Sequence, residues 1–207
     1  MTVFLARLAC FAALASGALA QNPEPRASMD AARTSPLGTQ VGYSPITREE
    51  RIHWVMSSTL GPARLAGNAL VATWGTMENS PEEFGPHWDG FAKRYGLRTS
   101  TVATGTALEA AIGSLWAEDP RYFRTSGQPF ARRLAHVAKM TVFSVDRHGN
   151  TMPAYARFIA VPTNSYISNA WRPNSQTSAG DAAIRIQWGF LSRFIGNAFT
   201  EFAPHRN

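Results

Sequence analysis

Two short stretches of this 207-residue chain gather side chains that could do chemistry. His87-Trp88-Asp89 sets an imidazole two residues from a carboxylate, a pairing that could hold a metal ion or pass a proton. Glu118-Asp119-Pro120-Arg121-Tyr122-Phe123-Arg124 sets two carboxylates and two arginines beside aromatic rings, and the arginines could grip an acidic ligand in pairs. Each stretch has a simpler structural reading. Asp89 can open a helix and offset its positive end, and the second group can clamp a helix terminus as an ion-pair network. The candidate ligand-binding residues are therefore His87, Asp89, Glu118, Asp119, Arg121, Tyr122 and Arg124, and no residue is assigned a catalytic role. Glu109, among small and apolar neighbours, is either an isolated carboxylate with a raised pKa or one that reaches water or an arginine.

Familiar catalytic patterns are missing from the sequence: there is no G-x-S-x-G elbow, S-x-x-K, H-E-x-x-H, phosphate-cradling glycine loop or calcium loop. His53, His87, His136, His148 and His205 fall one to a segment rather than at ligand spacing, so no metal and no cofactor is expected. Cys10 is the only cysteine.

Residues 1–20 read as an export signal, with Arg7 the only charge, an apolar run around Leu8–Leu14, and Ala18-Leu19-Ala20 as the small-x-small cleavage pattern. Cleavage would remove Cys10 and leave a chain without thiols, stabilised by packing alone. The formal charge is +6 with a sequence pI near 10.1, and only two of the 20 basic residues, Lys93 and Lys139, are lysine. The charge is spread rather than blocked. An exported protein of this balance suits an anionic membrane surface or an envelope protein as partner; nucleic acid is not expected.

The elements that must position the candidate residues are helical. Residues 21–43 read as a disordered or loosely attached tail, and residues 44–207 as one domain. Thr47 and Glu50 form a capping box, and Gly61-Pro62 separates the helix that follows from the next. The expected inner faces are Ile46 or Ile52, Val55, Met56 and Leu60 in the first helix, and Ala66, Ala69, Leu70, Thr73 and Met77 in the second. Trp88 to Tyr95 gives an aromatic face, Gly96 is expected to interrupt or kink, and the helix resumes with Leu108, Ile112, Leu115 and Trp116 inward. Its other side, Ala103, Ala107, Ala110 or Ala111, Ser114 and Ala117, is small enough for close helix approach. Asp119-Pro120 stops it.

A basic amphipathic helix follows from Phe130, with Leu134 and Val137 inward and Arg132, Arg133 and Lys139 outward. Phe143–Met152 admits one short β-hairpin turning at Gly149. Pro153–Trp171 is helical but broken at Pro162. Ala179–Phe202 carries the clearest stripe, Ile184, Trp188, Leu191, Ile195, Ala198 and Phe202, beside a small one of Gly189, Ser192 and Gly196. Ile184–Phe190 also alternates as a strand would, which admits a small outer-membrane β-barrel as a rival.

Gly85-Pro86-His87-Trp88-Asp89-Gly90-Phe91-Ala92-Lys93-Arg94-Tyr95-Gly96, with the Glu118–Arg124 stretch and the closing Gly196-Asn197-Ala198-Phe199-Thr200-Glu201-Phe202, resembles a family of small exported bacterial proteins of unassigned function. The likeness covers most of the chain beyond residue 20 and implies its domain limits, with no activity or site residue attached. The expectation is an all-α bundle of five or six helices with Gly/Ala-rich packing faces and one short hairpin. Its expected role is that of an exported envelope-associated structural or interaction protein. The alternatives are an acidic-ligand binder or hydrolase-type enzyme near His87/Asp89 or Glu118–Arg124, and the barrel. A shared site for His87 and Arg124 requires a bend at Gly96, because a straight helix would hold them tens of ångströms apart.

Overall fold

The computed structural model describes residues 43–125 and 127–203. The expected export signal, with Cys10, and residues 21–42 of the expected tail lie outside the described residues. Within them the chain is an all-α bundle of six α-helices: α1 (Arg48–Leu60), α2 (Pro62–Met77), α3 (Trp88–Leu115), α4 (Phe130–Val142), α5 (Tyr155–Ile167) and α6 (Ala179–Phe202). One antiparallel hairpin, β1 (Phe143–Val145) with β2 (Thr151–Pro153), joins α4 to α5 and pairs Phe143 with Pro153. The Ile184–Phe190 segment, which also alternates like a strand, is helix.

Local chemistry explains most boundaries. The Thr47 hydroxyl accepts from Glu50 N at 3.2 Å and the Glu50 carboxylate accepts from Thr47 N at 2.8 Å, closing the expected capping box on α1. Ser178 and Asp181 close a second box at the head of α6. In the hairpin loop, Asp146 accepts from the backbone N–H groups of His148 and Asn150, and Gly149 takes the left-handed φ of 82° that the turn demands.

Two expectations about breaks are corrected. α3 runs through Gly96 without interruption for 28 residues, about 42 Å at 1.5 Å per residue. α5 likewise continues through Pro162. Both helices lie against each other, and packing along their length outweighs local helix-breaking preference. α3 ends at Leu115, ahead of the expected Asp119-Pro120 stop, and Ala117 with a φ of 54° turns the chain so that Glu118 N reaches back to Gly113 O at 2.8 Å.

The packing faces are corrected more deeply. Ile52, Met56 and Leu60 of α1, Leu70 and Met77 of α2, Leu115 at the end of α3, Trp116 just after it, Leu134 of α4 and Ile184 of α6 all lie exposed, although each was expected inside. Met77 and Leu115 are each 77% exposed. Apart from Trp54, Val137, Met140 and Val145, the buried positions are small or polar, among them Thr59, Asn68, Ala72, Arg94, Ala110, Gly113, Ala156, Arg157, Ala160, Ala182, Asn197 and Glu201. Small residues win because they let helix backbones approach. A Cβ placed on Gly105 would come within 2.7 Å of Asn164 Nδ2 on α5, and one on Gly189 within 2.7 Å of Val161 Cγ1. Wide apolar side chains cannot enter such gaps, so they face outward.

One arginine organises the α2–α3 connection. Arg94, 5% exposed, donates to the carbonyls of Ser80, Pro81 and Gly85 at 2.9, 2.7 and 2.7 Å.

Candidate functional site

The Glu118–Arg124 stretch leaves the end of α3 and runs beneath β1, where Asp119 N donates to Val145 O at 2.9 Å. That pairing carries Glu118 and Asp119 into the interior, where they are 2% and 0% exposed. Neither faces solvent, so the charges must be met by the fold.

Asp119 is held from three sides. Arg121 Nε lies 3.0 Å from Oδ1 and Nη2 lies 2.7 Å from Oδ2, Arg121 N donates at 2.9 Å, and the Tyr43 hydroxyl donates at 3.1 Å. Arg121 continues outward to Ser44 O and to Glu50 on α1. Tyr43, the last residue of the expected tail, is thus docked, with its ring edge-on to Phe123 at 5.6 Å. Burial, and then the Asp119 charge, raise its phenol pKa well above the ordinary tyrosine value.

The second half of the stretch closes on Glu201, near the end of α6. Its fully buried carboxylate accepts from Tyr122 Oη at 2.9 Å, Thr125 N at 3.0 Å and Arg133 Nε at 2.8 Å. Arg124 and Arg133 also donate to the Glu201 backbone carbonyl. Burial pushes the Glu201 pKa up, but the hydrogen bonds from Arg133, Thr125 and Tyr122 outweigh it and hold the group below the usual glutamate value. Tyr122 moves the other way: burial and its bond to Glu201 raise its pKa far above that of free tyrosine.

Glu118 has fewer donors. Its Oε2 accepts from Ala156 N at 2.9 Å, while Arg51 Nη2 takes its backbone carbonyl at 2.7 Å. Burial dominates, and its pKa is raised. Nearby, Glu109 accepts from Arg157 Nε and Arg193 Nη2, each at 3.1 Å, so of the two readings for Glu109 it is the arginine partner that the fold supplies. Arg157, 3% exposed, also caps the carbonyls of Met140 and Thr141 at the end of α4.

His87 and Asp89 lie elsewhere, exposed at the head of α3, where Asp89 pairs with Lys93 one turn on at 3.3 Å. With α3 unbroken, they are not brought to the Glu118–Arg124 end, and one pocket does not hold both groups. Near the head of α3 an open cleft of about 540 Å³ is lined by Phe84, Lys93, Leu97, Ser100, Thr104 and Trp171, a set without a facing acid–base pair. Among the described residues, no three His, Cys, Asp or Glu side chains gather as metal ligands.

The partners that sequence reasoning missed are Tyr43, Arg51, Arg133, Arg157, Arg193 and Glu201. Arg133 was expected outward on α4, but its neighbour Phe202 on α6 lies under its guanidinium at 4.5 Å and draws it onto Glu201. Glu201 itself carried a usable signal, being the one carboxylate in the second half of a helix whose last turns are otherwise mostly apolar and small. Chemically the assembly is a set of matched charges with most donors already taken, an arrangement that fixes three chain segments against one another. No family model, no curated protein and no solved structure matches the chain.

Proposed function

We propose that this is an exported, envelope-associated interaction protein that rests on a membrane surface. The observation that supports this reading is the reversal of polarity in the bundle. Arginines, glutamates and asparagines are buried alongside a small apolar core, while many large apolar side chains point out from the helices. On α5 alone Tyr155, Phe158, Ile159, Tyr166 and Ile167 are exposed, and on α1 Ile52, Met56 and Leu60 recur every fourth residue. A water-facing surface of that kind favours contact with an apolar phase or partner. No helix among the described residues is long and apolar enough to cross a membrane, so the contact we propose is lateral and peripheral.

The reading makes a specific demand on fractionation. Because Arg94, Arg121, Arg133, Arg157 and Arg193 are spent inside the fold, attachment rests on apolar side chains more than on charge. Washed membranes should then retain the protein at high salt and release it to detergent. Recovery of the full chain as a freely soluble protein at low and high salt would overturn the proposal.

A further inference from the structure

Arginines line the bundle interior, and their balance of charge changes along it. At one end Glu109 takes both Arg157 and Arg193. At the other, Asp181 offsets the charges of Arg172 and Arg185. Between these ends stand Arg64 on α2 and Arg98 on α3. The charges that bear on them are other arginines: Arg193 on Arg64, and both Arg64 and Arg172 on Arg98.

Their placement follows from the helices. Arg64 precedes Asn68 by one turn and shares its face of α2. Asn68, 1% exposed, accepts from Arg98 Nε at 3.2 Å and is steadied by donating to Thr99 Oγ1 at 3.3 Å. Arg64 Nε donates to Ser58 O at 3.1 Å. Each guanidinium is therefore fixed through Nε. Among the described residues the Nη atoms of both have no hydrogen-bond partner, and none of these Nη atoms is sealed away from solvent. Arg193, whose charge bears on Arg64, also keeps its Nε buried without a partner.

We propose that Arg64 and Arg98 form a binding site for a phosphate-class oxyanion, with Asn68 as the residue that positions Arg98. Two forks fixed at Nε present four terminal nitrogens with eight N–H groups between them, more than the roughly four lone-pair sites of one carboxylate can engage, and a phosphate group supplies the additional acceptors. Burial lowers the Arg98 pKa to about 10, so the group remains a cation at neutral pH and lacks only its counter-charge. A soluble phosphate compound and a phosphate-bearing lipid headgroup present the same oxygens to this site.

The test titrates the full chain calorimetrically with inorganic phosphate at fixed ionic strength, and by co-sedimentation with phosphatidylglycerol and phosphatidylcholine vesicles. R98Q and R64Q should each weaken binding about ten- to a hundredfold, the loss expected for one charge-assisted contact, while R132Q on the exposed face of α4 should not. R98K, which keeps the charge and loses the fork, stands in if R98Q does not fold. Phosphate binding lost in the Arg64 and Arg98 variants supports the site with a soluble ligand. Vesicle binding that prefers phosphatidylglycerol and is lost in the same variants supports it with a headgroup. Binding of neither probe, or binding that R132Q weakens as much as R98Q, would overturn it. An apolar membrane contact without the site would instead leave vesicle binding equal for both lipids and unchanged in R98Q.

Discussion

Two regions of the charged interior obey the same electrostatics and reach opposite results. Around Glu201, a buried carboxylate meets an arginine, a tyrosine hydroxyl and a backbone N–H, and three chain segments are joined. Around Arg64 and Arg98, cations face other cations, and only their Nε groups are anchored. Burial costs a charge several kcal/mol before pairing returns it, so the first region stabilises the fold and the second draws on it. A bundle that carries both uses one for cohesion and keeps the other free to engage something outside the chain.

The largest way to break the comparison is E201A. It removes the fully buried carboxylate shared by Arg133, itself a quarter exposed, and the half-buried Tyr122, and should cost about 3–5 kcal/mol in denaturant unfolding. A loss below about 1 kcal/mol would place the Glu201 cluster among ordinary surface pairs.

Acid titration sharpens the contrast between Glu201 and Glu118. Glu201 is held below the ordinary glutamate value of 4.5, so its contribution is complete above that pH and is lost as pH falls through the folded pKa. Glu118, raised by burial, destabilises when ionised, and that penalty lifts on acidification. Unfolding free energy measured against pH should therefore have a flatter acid limb in E201Q and a steeper one in E118Q. Equal slopes in the two variants would refute the assignment.

Y122F removes one hydroxyl bond to the Glu201 carboxylate, worth about 1.5–3 kcal/mol for a charged acceptor. It should also remove a loss of stability on the alkaline side, since a tyrosine with raised pKa favours folding only while it stays protonated, and that contribution fades above about pH 10. At the small end stands R98M. If the middle of the interior is a load on the fold, thermal unfolding without added anion should change by less than about 1 kcal/mol or move toward greater stability. A loss as large as that of E201A would make Arg98 a structural residue.

The helices were legible because their signals are local. Thr47 with Glu50, Gly61-Pro62, the Phe143–Met152 hairpin and the long final helix need no knowledge of distant residues. The faces were misread because a rule that turns large apolar residues inward was applied where Gly105, Gly113 and Gly189 set helix separation. The small stripes were visible in the sequence; their precedence over Leu115 or Ile52 depends on which helices meet. The stretch Glu118–Arg124 was recognised as a unit, but its partners Arg51 and Glu201 lie 67 and 79 residues away from the residues they bond, a separation that spacing within a motif does not encode.

Arg94 carries a consequence for the exposed chemistry of the backbone. Residues 78–86, with two prolines and a glycine between two helices, have the composition of a linker that a protease would cut first. Their carbonyls at Ser80, Pro81 and Gly85 are instead drawn onto one buried guanidinium. A peptide bond must leave its hydrogen bonds and extend before a protease can seat it. The side chain that trypsin would recognise at Arg94 is itself the pin that holds the strip shut, so the most inviting segment of the sequence becomes one that digestion reaches late.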